Sequence, residues 1–519
     1  MRSICFYFQI HQPYRLKTFR FFDIGADENY FDEYQNRTII KRIVERSYLP
    51  MNKLLLDLIN EYGSGFKVSF SISGTALDQF EQYAPEALHS FKKLADTGNV
   101  EFLAETYAHS LVSLYDSGEF ASQVAKHSAR IESLFGVKPT SFRNTELIYS
   151  DRIGEKVYDM GYKVMLTEGA KHILGWKSPD FMYCNAINPK LKVLLRNFQL
   201  SDDIGFRFSN QSWSEWPLTA EKFTQWLQDL DKKQQVVNIF LDYETFGEHQ
   251  WVETGIFEFM KKLPQQILAK TSYKFDTPAG LAARLQPVSA VLVPNTISWA
   301  DEERDLTAWL GNDMQDEAFE VLYKLLPLAQ KTQNPDLQKK WLYLQTSDHF
   351  YYMCTKWFSD GTVHKYFNPY ASPYEAFINY MNVLSDFSLR LQSDSQDYEI
   401  PTSKVPDLSI KKRKAVPAEL KNLPEAELAT EAGSSSIDIE VLFSLSKPKV
   451  KQFIKNIDIQ SLAYTLYDRS GAELDKFRKK LPESYNEELT RLISEIKRPR
   501  KSTLEHHKNK IGEFIRSLF

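Results

Sequence analysis

Over the first 285 residues, short apolar runs alternate with amphipathic helical stretches, and that alternation limits the fold more than any other feature. Strand-like runs fall at residues 2–9, 67–73, 100–105, 140–145, 163–166, 192–196 and 236–241. Helical patterns lie between them, at about 50–62, 76–94, 119–135, 151–160 and 219–231. Strand alternating with helix predicts a parallel sheet, and closing that sheet removes its exposed edges. The expected fold is therefore α/β, a (β/α)7 barrel over residues 1–290. A doubly wound open sheet satisfies the same pattern.

From about residue 294 the alternation stops. Residues 291–395 read as a helical domain dense in aromatics, among them Tyr351, Tyr352, Trp357, Phe358, Tyr366, Phe367, Tyr370, Tyr374 and Tyr380. Packed on the barrel, it is expected to complete the active-site cleft. Residues 396–435 turn polar, with Pro401, Pro406 and Pro417 and the basic cluster KKRK at 411–414, and read as a flexible linker. Within a linker that cluster reads as a solvated face, not a nucleic-acid patch. Helical periodicity returns over 436–519 as a small separate module.

The balance of 64 Lys+Arg against 68 Asp+Glu, a net charge of −4, implies no polyanionic partner. Cys5, Cys184 and Cys354 are too far apart in sequence for a disulfide framework or a paired metal motif. No apolar run reaches the roughly 18 residues of a membrane span, and MRSICFYFQIHQP lacks a signal-peptide pattern. A cytoplasmic location is expected, without a membrane partner.

Chemistry gathers at the strand ends. The run at 236–241 leads abruptly into Asp242, Glu244 and Glu248 within LDYETFGEH, as a buried strand does where it reaches an active site. Four other segments carry acids or histidine at strand ends or just after the barrel. They are HQPYRL at 11–16, GNVEFLAETYAHSL at 98–111, FRNTELIYS at 142–150 and SWADEERDLTAWLGN at 298–312. An aromatic content of 14% suits a large aromatic core, or a cleft that stacks on the C–H faces of sugar rings.

In order and wording these five segments resemble the conserved regions of glycoside hydrolase family 57, in its α-amylase-like branch, over residues 1–390. The tail resembles the C-terminal helical domain of the flagellar motor-switch protein FliG and is expected to be an interaction or packing module. The family resemblance implies a (β/α)7 barrel with a helical domain contributing to the site, and a retaining enzyme for α-glucans without a metal or other cofactor. It places the nucleophile on Glu146 and the general acid/base on Asp242. His11, Glu101, Glu244, Asp305 and Trp309 become substrate-binding candidates, with Glu105 and His109 ranked below them. For Asp202, Asp203 and Arg207, loop bracing and substrate contact stand level.

Retaining hydrolysis needs one ionised carboxylate to attack the anomeric carbon and one protonated carboxyl to donate to the leaving oxygen. Arg143 is expected to hold Glu146 ionised. Burial, Glu146 and Glu244 are expected to raise Asp242. Three other readings compete: a 4-α-glucanotransferase or branching enzyme using the same glycosyl-enzyme, a zinc hydrolase built from His11, His109, His249 and Asp242, and a noncatalytic glucan-binding protein.

Overall fold

The first strand, Ser3–Ile10, is buried along its whole length. The computed structural model describes residues 2–356, 368–394, 450, 459–467 and 477–495. Among them the strands in chain order are β1 (Ser3–Ile10), β2 (Val68–Ile72), β3 (Val100–Phe102), β4 (Ser141–Arg143), β5 (Val164–Glu168), β6 (Met182–Asn185), β7 (Lys192–Arg196), β8 (Val236–Asp242), β9 (Lys274–Phe275) and β10 (Ala290–Val291).

β1 lies parallel between β2 and β8, with Tyr7 opposite Ser69 on one side and Phe240 on the other. β2 continues to β3, and β4 pairs through β5 to β7, all parallel. Two seams join these sheets. At the first, Ala104 bridges Phe142, and the Arg143 N–H donates to the Ala104 carbonyl at 2.9 Å. At the second, the Asn197 N–H donates to Asn238 O at 2.9 Å, and the Asn238 amide donates to Leu195 O at 2.8 Å. Seven parallel strands thus close into a (β/α)7 barrel in chain order.

Each seventh of the ring is buried on both faces. Along β1, Ile4, Phe6, Phe8 and Ile10 pack outward against the helices, while Cys5 and Tyr7 face a core shared with Leu103, Val164, Leu194 and Phe240. Side chains alternate across a strand, so a barrel strand must be apolar on both sides. That is why these runs carry little polar alternation.

Three local features depart from the sequence pattern. The helical stretch at 76–94 is two helices, Gly74–Tyr83 and Pro85–Asp96, because Pro85 drives Ala84 out of the helical region (φ −151°, ψ 61°). The connection before residue 50 is itself helical. Asp32 caps Glu33–Ile43 by accepting the Gln35 N–H, and a π-helical turn, Val44–Tyr48, leads into Leu49–Tyr62. The irregular stretch before residue 190 contains β6, antiparallel to β7.

The Val44–Tyr48 turn meets the DYETFGEH segment closely. Gly247 has φ +105°, and a Cβ there would sit 2.1 Å from the Arg46 carbonyl oxygen. Gly247→Ala is therefore expected to destabilise the fold by about 2–4 kcal/mol, measurable as a lowered urea midpoint at unchanged slope. An unchanged midpoint would mean that the two loops part without cost.

The chain divides into two compact units, Met1–Pro401 and Thr402–Phe519. In the first, the helices Asp313–Lys324, Pro335–Leu344 and Pro373–Asp394 bury Leu322, Trp341, Tyr380 and Phe387 in one cluster with Phe142, Met165 and Val193 of the barrel. In the second, the helices Ile459–Leu466 and Glu483–Glu495 bury Leu462, Ala463, Leu466 and Leu489. The linker at 396–435 with its KKRK cluster, and Trp357, Phe358, Tyr366 and Phe367, lie outside the described residues. No helix among the described residues is long and apolar enough to cross a membrane.

Candidate active site

The C-terminal ends of the barrel strands open into a cleft of about 1420 Å³ of empty space. Strand ends place Glu146 and Asp242 in it. The segment at 298–312 and the helix Ser347–Tyr351 close it from the other side.

Glu146 sits in a tight turn just after β4, with φ 55° and ψ 27°, and Leu147 follows at φ 53°. Left-handed backbone is costly for side chains of this size, so the surroundings must impose it. Asn144 braces the turn by donating to Ile148 O at 3.1 Å and to Ser113 Oγ at 2.9 Å. Both carboxylate oxygens are occupied. His109 Nε2 lies 3.2 Å from Oε1, and Trp299 Nε1 donates to Oε2 at 2.6 Å.

His109 also reaches Glu105, with Nδ1 2.8 Å from Oε2. An imidazole facing a carboxylate at each nitrogen must donate from both, so it is the imidazolium. Burial disfavours that charge, yet the two carboxylates outweigh burial and raise His109 to about 9. Burial would likewise raise Glu105, but His109, His127 and Arg143 hold it at about 2. For Glu146, burial is again outweighed, here by His109, Arg143 and the Trp299 N–H, and the carboxyl lies below its ordinary value.

Asp242 ends β8. Burial and then the charge of Glu146 raise it to about 6, against the opposing fields of Arg143, Arg196 and His109. Glu244, which the sequence placed among the causes of that shift, is instead itself displaced. Burial and Asp242 raise it to about 8, although the Tyr48 hydroxyl and the Gln12 amide (3.1 Å) both donate to Oε1. Its ionisation is therefore disfavoured.

His11 directly follows β1 and stacks on His109, ring centres 4.0 Å apart. Its Nε2 lies 2.9 Å from Asp348 Oδ2 and its Nδ1 2.8 Å from Ser73 Oγ. Burial and the neighbouring His109 cation lower its pKa, so the stacked pair holds one neutral and one charged ring.

The cleft gathers His11, Glu146, Asp242, Glu244 and Trp309. It does not gather Glu101 or Asp305. Glu101 lies mid-strand in β3, where it accepts from Ser141 Oγ and from the Ala279 N–H at 2.9 Å, capping the helix Pro278–Arg284. The second acidic segment meets the cleft through His109, with Glu105 behind it. Asp305 braces its own loop, its Oδ1 accepting from the Thr307 N–H at 2.8 Å and the Thr307 hydroxyl at 2.6 Å. The aspartates that do line the cleft from the helical region are Asp301 and Asp348. Asp203 pairs with Arg207, whereas Asp202 lines the cleft and holds Arg196 at 2.5 Å.

Arg196 and Asp348 lie outside the five segments, and Trp299 lies in the fifth, where spacing alone does not single it out. Arg196 ends β7 and pairs with Glu168 at 3.1 Å as well as Asp202. Among the described residues no group of three His, Cys, Asp or Glu is arranged to hold a metal ion.

A closed barrel of seven parallel strands, with paired carboxyls at its strand ends, is the framework of an enzyme class that cleaves or transfers glycosidic bonds. The model of glycosyl hydrolase family 57 matches residues 5–294, and the chain belongs to that family. The model of the FliG C-terminal domain matches residues 422–519.

Among particular relatives, a protein described as "Putative alpha-amylase" of Methanocaldococcus jannaschii is 42% identical over 400 residues, covering 74% of this chain and 84% of that one. The fold is shared with the GH57 branching enzyme of Thermococcus kodakaraensis (TM-score 0.55, 13% identity, 75% of this chain and 90% of that one). It is shared also with the alpha-amylase AmyC of Thermotoga maritima (TM-score 0.52, 14% identity, 76% and 94%).

Proposed function

We propose that this chain is a retaining α-glucan hydrolase cleaving α-1,4 bonds of starch, glycogen or maltodextrins, with Glu146 as nucleophile and Asp242 as general acid/base. One observation carries the reading: two carboxyls in one cleft have environments that push their ionisation in opposite directions. The 42% identity to a protein carrying an amylase name supports the substrate class.

In the first half-reaction a Glu146 oxygen attacks the anomeric carbon while Asp242 gives its proton to the departing glycosidic oxygen. The glycosyl ester that forms has no charge on Glu146. The second-largest cause of the raised Asp242 value is then gone, and Asp242 becomes a base. It takes a proton from water, whose oxygen attacks the anomeric carbon and releases Glu146. His11, Glu244, Asp348 and Trp309 hold sugar hydroxyls and ring faces. The barrel at 1–290 and the helical domain at 291–395 act together. The enzyme acts in the cytoplasm, and its tail is an interaction or packing module, in keeping with the FliG C-terminal match.

A sugar hydroxyl can replace water in the second step, and the fold shared with a branching enzyme keeps transfer as the second reading. Product analysis on maltoheptaose separates the two. Hydrolysis gives shorter sugars with rising reducing power. Longer products at constant reducing power would move the assignment to a transferase, and unchanged maltoheptaose would overturn both. Because the chemistry is assigned to side chains alone, exhaustive dialysis against a chelator is expected to leave the rate within about twofold of the untreated enzyme. Loss restored by zinc would instead support the zinc hydrolase.

A further inference from the structure

Trp299 makes two hydrogen bonds to one residue. Its backbone N–H donates to the Glu146 carbonyl at 3.1 Å, and its indole N–H donates to the Glu146 carboxylate at 2.6 Å. Two guanidinium groups lie over its ring, that of Arg143 at 5.1 Å and that of Arg196 at 5.7 Å from the ring centre. Arg143 is fully buried, and among the described residues none of its three guanidinium nitrogens has a hydrogen-bond partner. Its charge is therefore not spent on a direct pair.

A cation over an aromatic face draws electron density from the ring, and an indole drained in this way is a stronger N–H donor. We propose that Trp299 is the positioning residue that aims Glu146 and keeps it ionised, its N–H strengthened by Arg143 and Arg196. The proposal rests on Glu146 being the nucleophile.

The segment that carries Trp299 is built to hold it. Arg304 donates to the Trp299 carbonyl and reaches Asp202 at 3.4 Å and Glu168 at 3.8 Å. Asp301 and Arg304 both take left-handed backbone, with φ of 54° and 53°. Such strain persists only where the surroundings over-determine it. The charged or titratable groups acting on Glu146 are His109, Arg143 and Asp242, with Glu105 behind His109. Of the two donors on Glu146, His109 is titratable, at about 9, whereas the indole N–H of Trp299 does not titrate. The indole is thus the donor that pH does not remove.

The test uses the full chain and a 5-fluoro-α-glucosyl fluoride as trap. A Glu146 oxygen bonds to the anomeric carbon, the C–F bond breaks and fluoride leaves, and peptide mass spectrometry finds the ester. In wild type the label is expected on Glu146. Trp299→Phe keeps a ring beneath both guanidiniums but loses the donor. It is expected to label the same residue about tenfold more slowly, with the acidic limb of the trapping rate moved up by about one pH unit. An acidic limb and maximal rate equal to wild type would overturn the proposal. Should Trp299→Phe not fold, wild-type sequence carrying 4-fluorotryptophan, a more acidic N–H, is expected to shift the limb downward, and an unmoved limb would overturn the proposal equally. Wild type labelled elsewhere, or not at all, would instead overturn the assignment of Glu146, and Trp299 with it.

Discussion

Glu146→Ala is expected to lower kcat on maltodextrins on the order of 10⁵-fold, with the fold retained. In the proposed mechanism this side chain forms the glycosyl ester, and neither of its two donors can replace it. His109 and Trp299 would face a small void, and added azide can enter there as an external nucleophile. Attack from the nucleophile's side yields the β-glycosyl azide, so restored turnover with that product would identify the missing group. A variant keeping a tenth of wild-type activity would remove Glu146 from the mechanism.

Asp242→Ala is expected to lose about 10³-fold on glucans, but far less on glucosyl fluoride, whose leaving group needs no proton. Its pH profile should also change. The proposed mechanism needs Glu146 ionised and Asp242 protonated. Activity therefore falls at low pH as Glu146 takes up a proton, and falls above about pH 6 as Asp242 loses one. The variant should keep the first limb and lose the second. A basic limb unchanged in Asp242→Ala would assign the acid to another group, and Glu244, at about 8, is the nearest candidate.

The barrel could be read in the sequence because its strands are buried on both faces and end in polar residues. The apolar run before Asp242 is the clearest case, and all seven runs found there became barrel strands. Individual side chains at the strand ends were harder to place. Glu101 and Glu105 differ by four residues, and whether either meets the cleft depends on β3 ending at Phe102, which spacing cannot show. Arg143 was legible as a cation near Glu146, but the hydrogen-bonded cation is His109, placed by a left-handed turn (φ 51°) that no local pattern announces. Asp348 lies 337 residues from its partner His11, and nothing local connects them.

That pairing has a kinetic consequence. The first strand supplies one half of a contact whose other half is made only when the helical region has been synthesised and docked. Contacts of such sequence separation are slow to form. On dilution from denaturant, secondary structure should therefore return before catalysis does. A fragment stopping at residue 294, where the family match ends, would be a barrel lacking Trp299, Trp309 and Asp348. Recovered turnover in a refolding experiment thus times the final docking of the helical region, not the closure of the barrel.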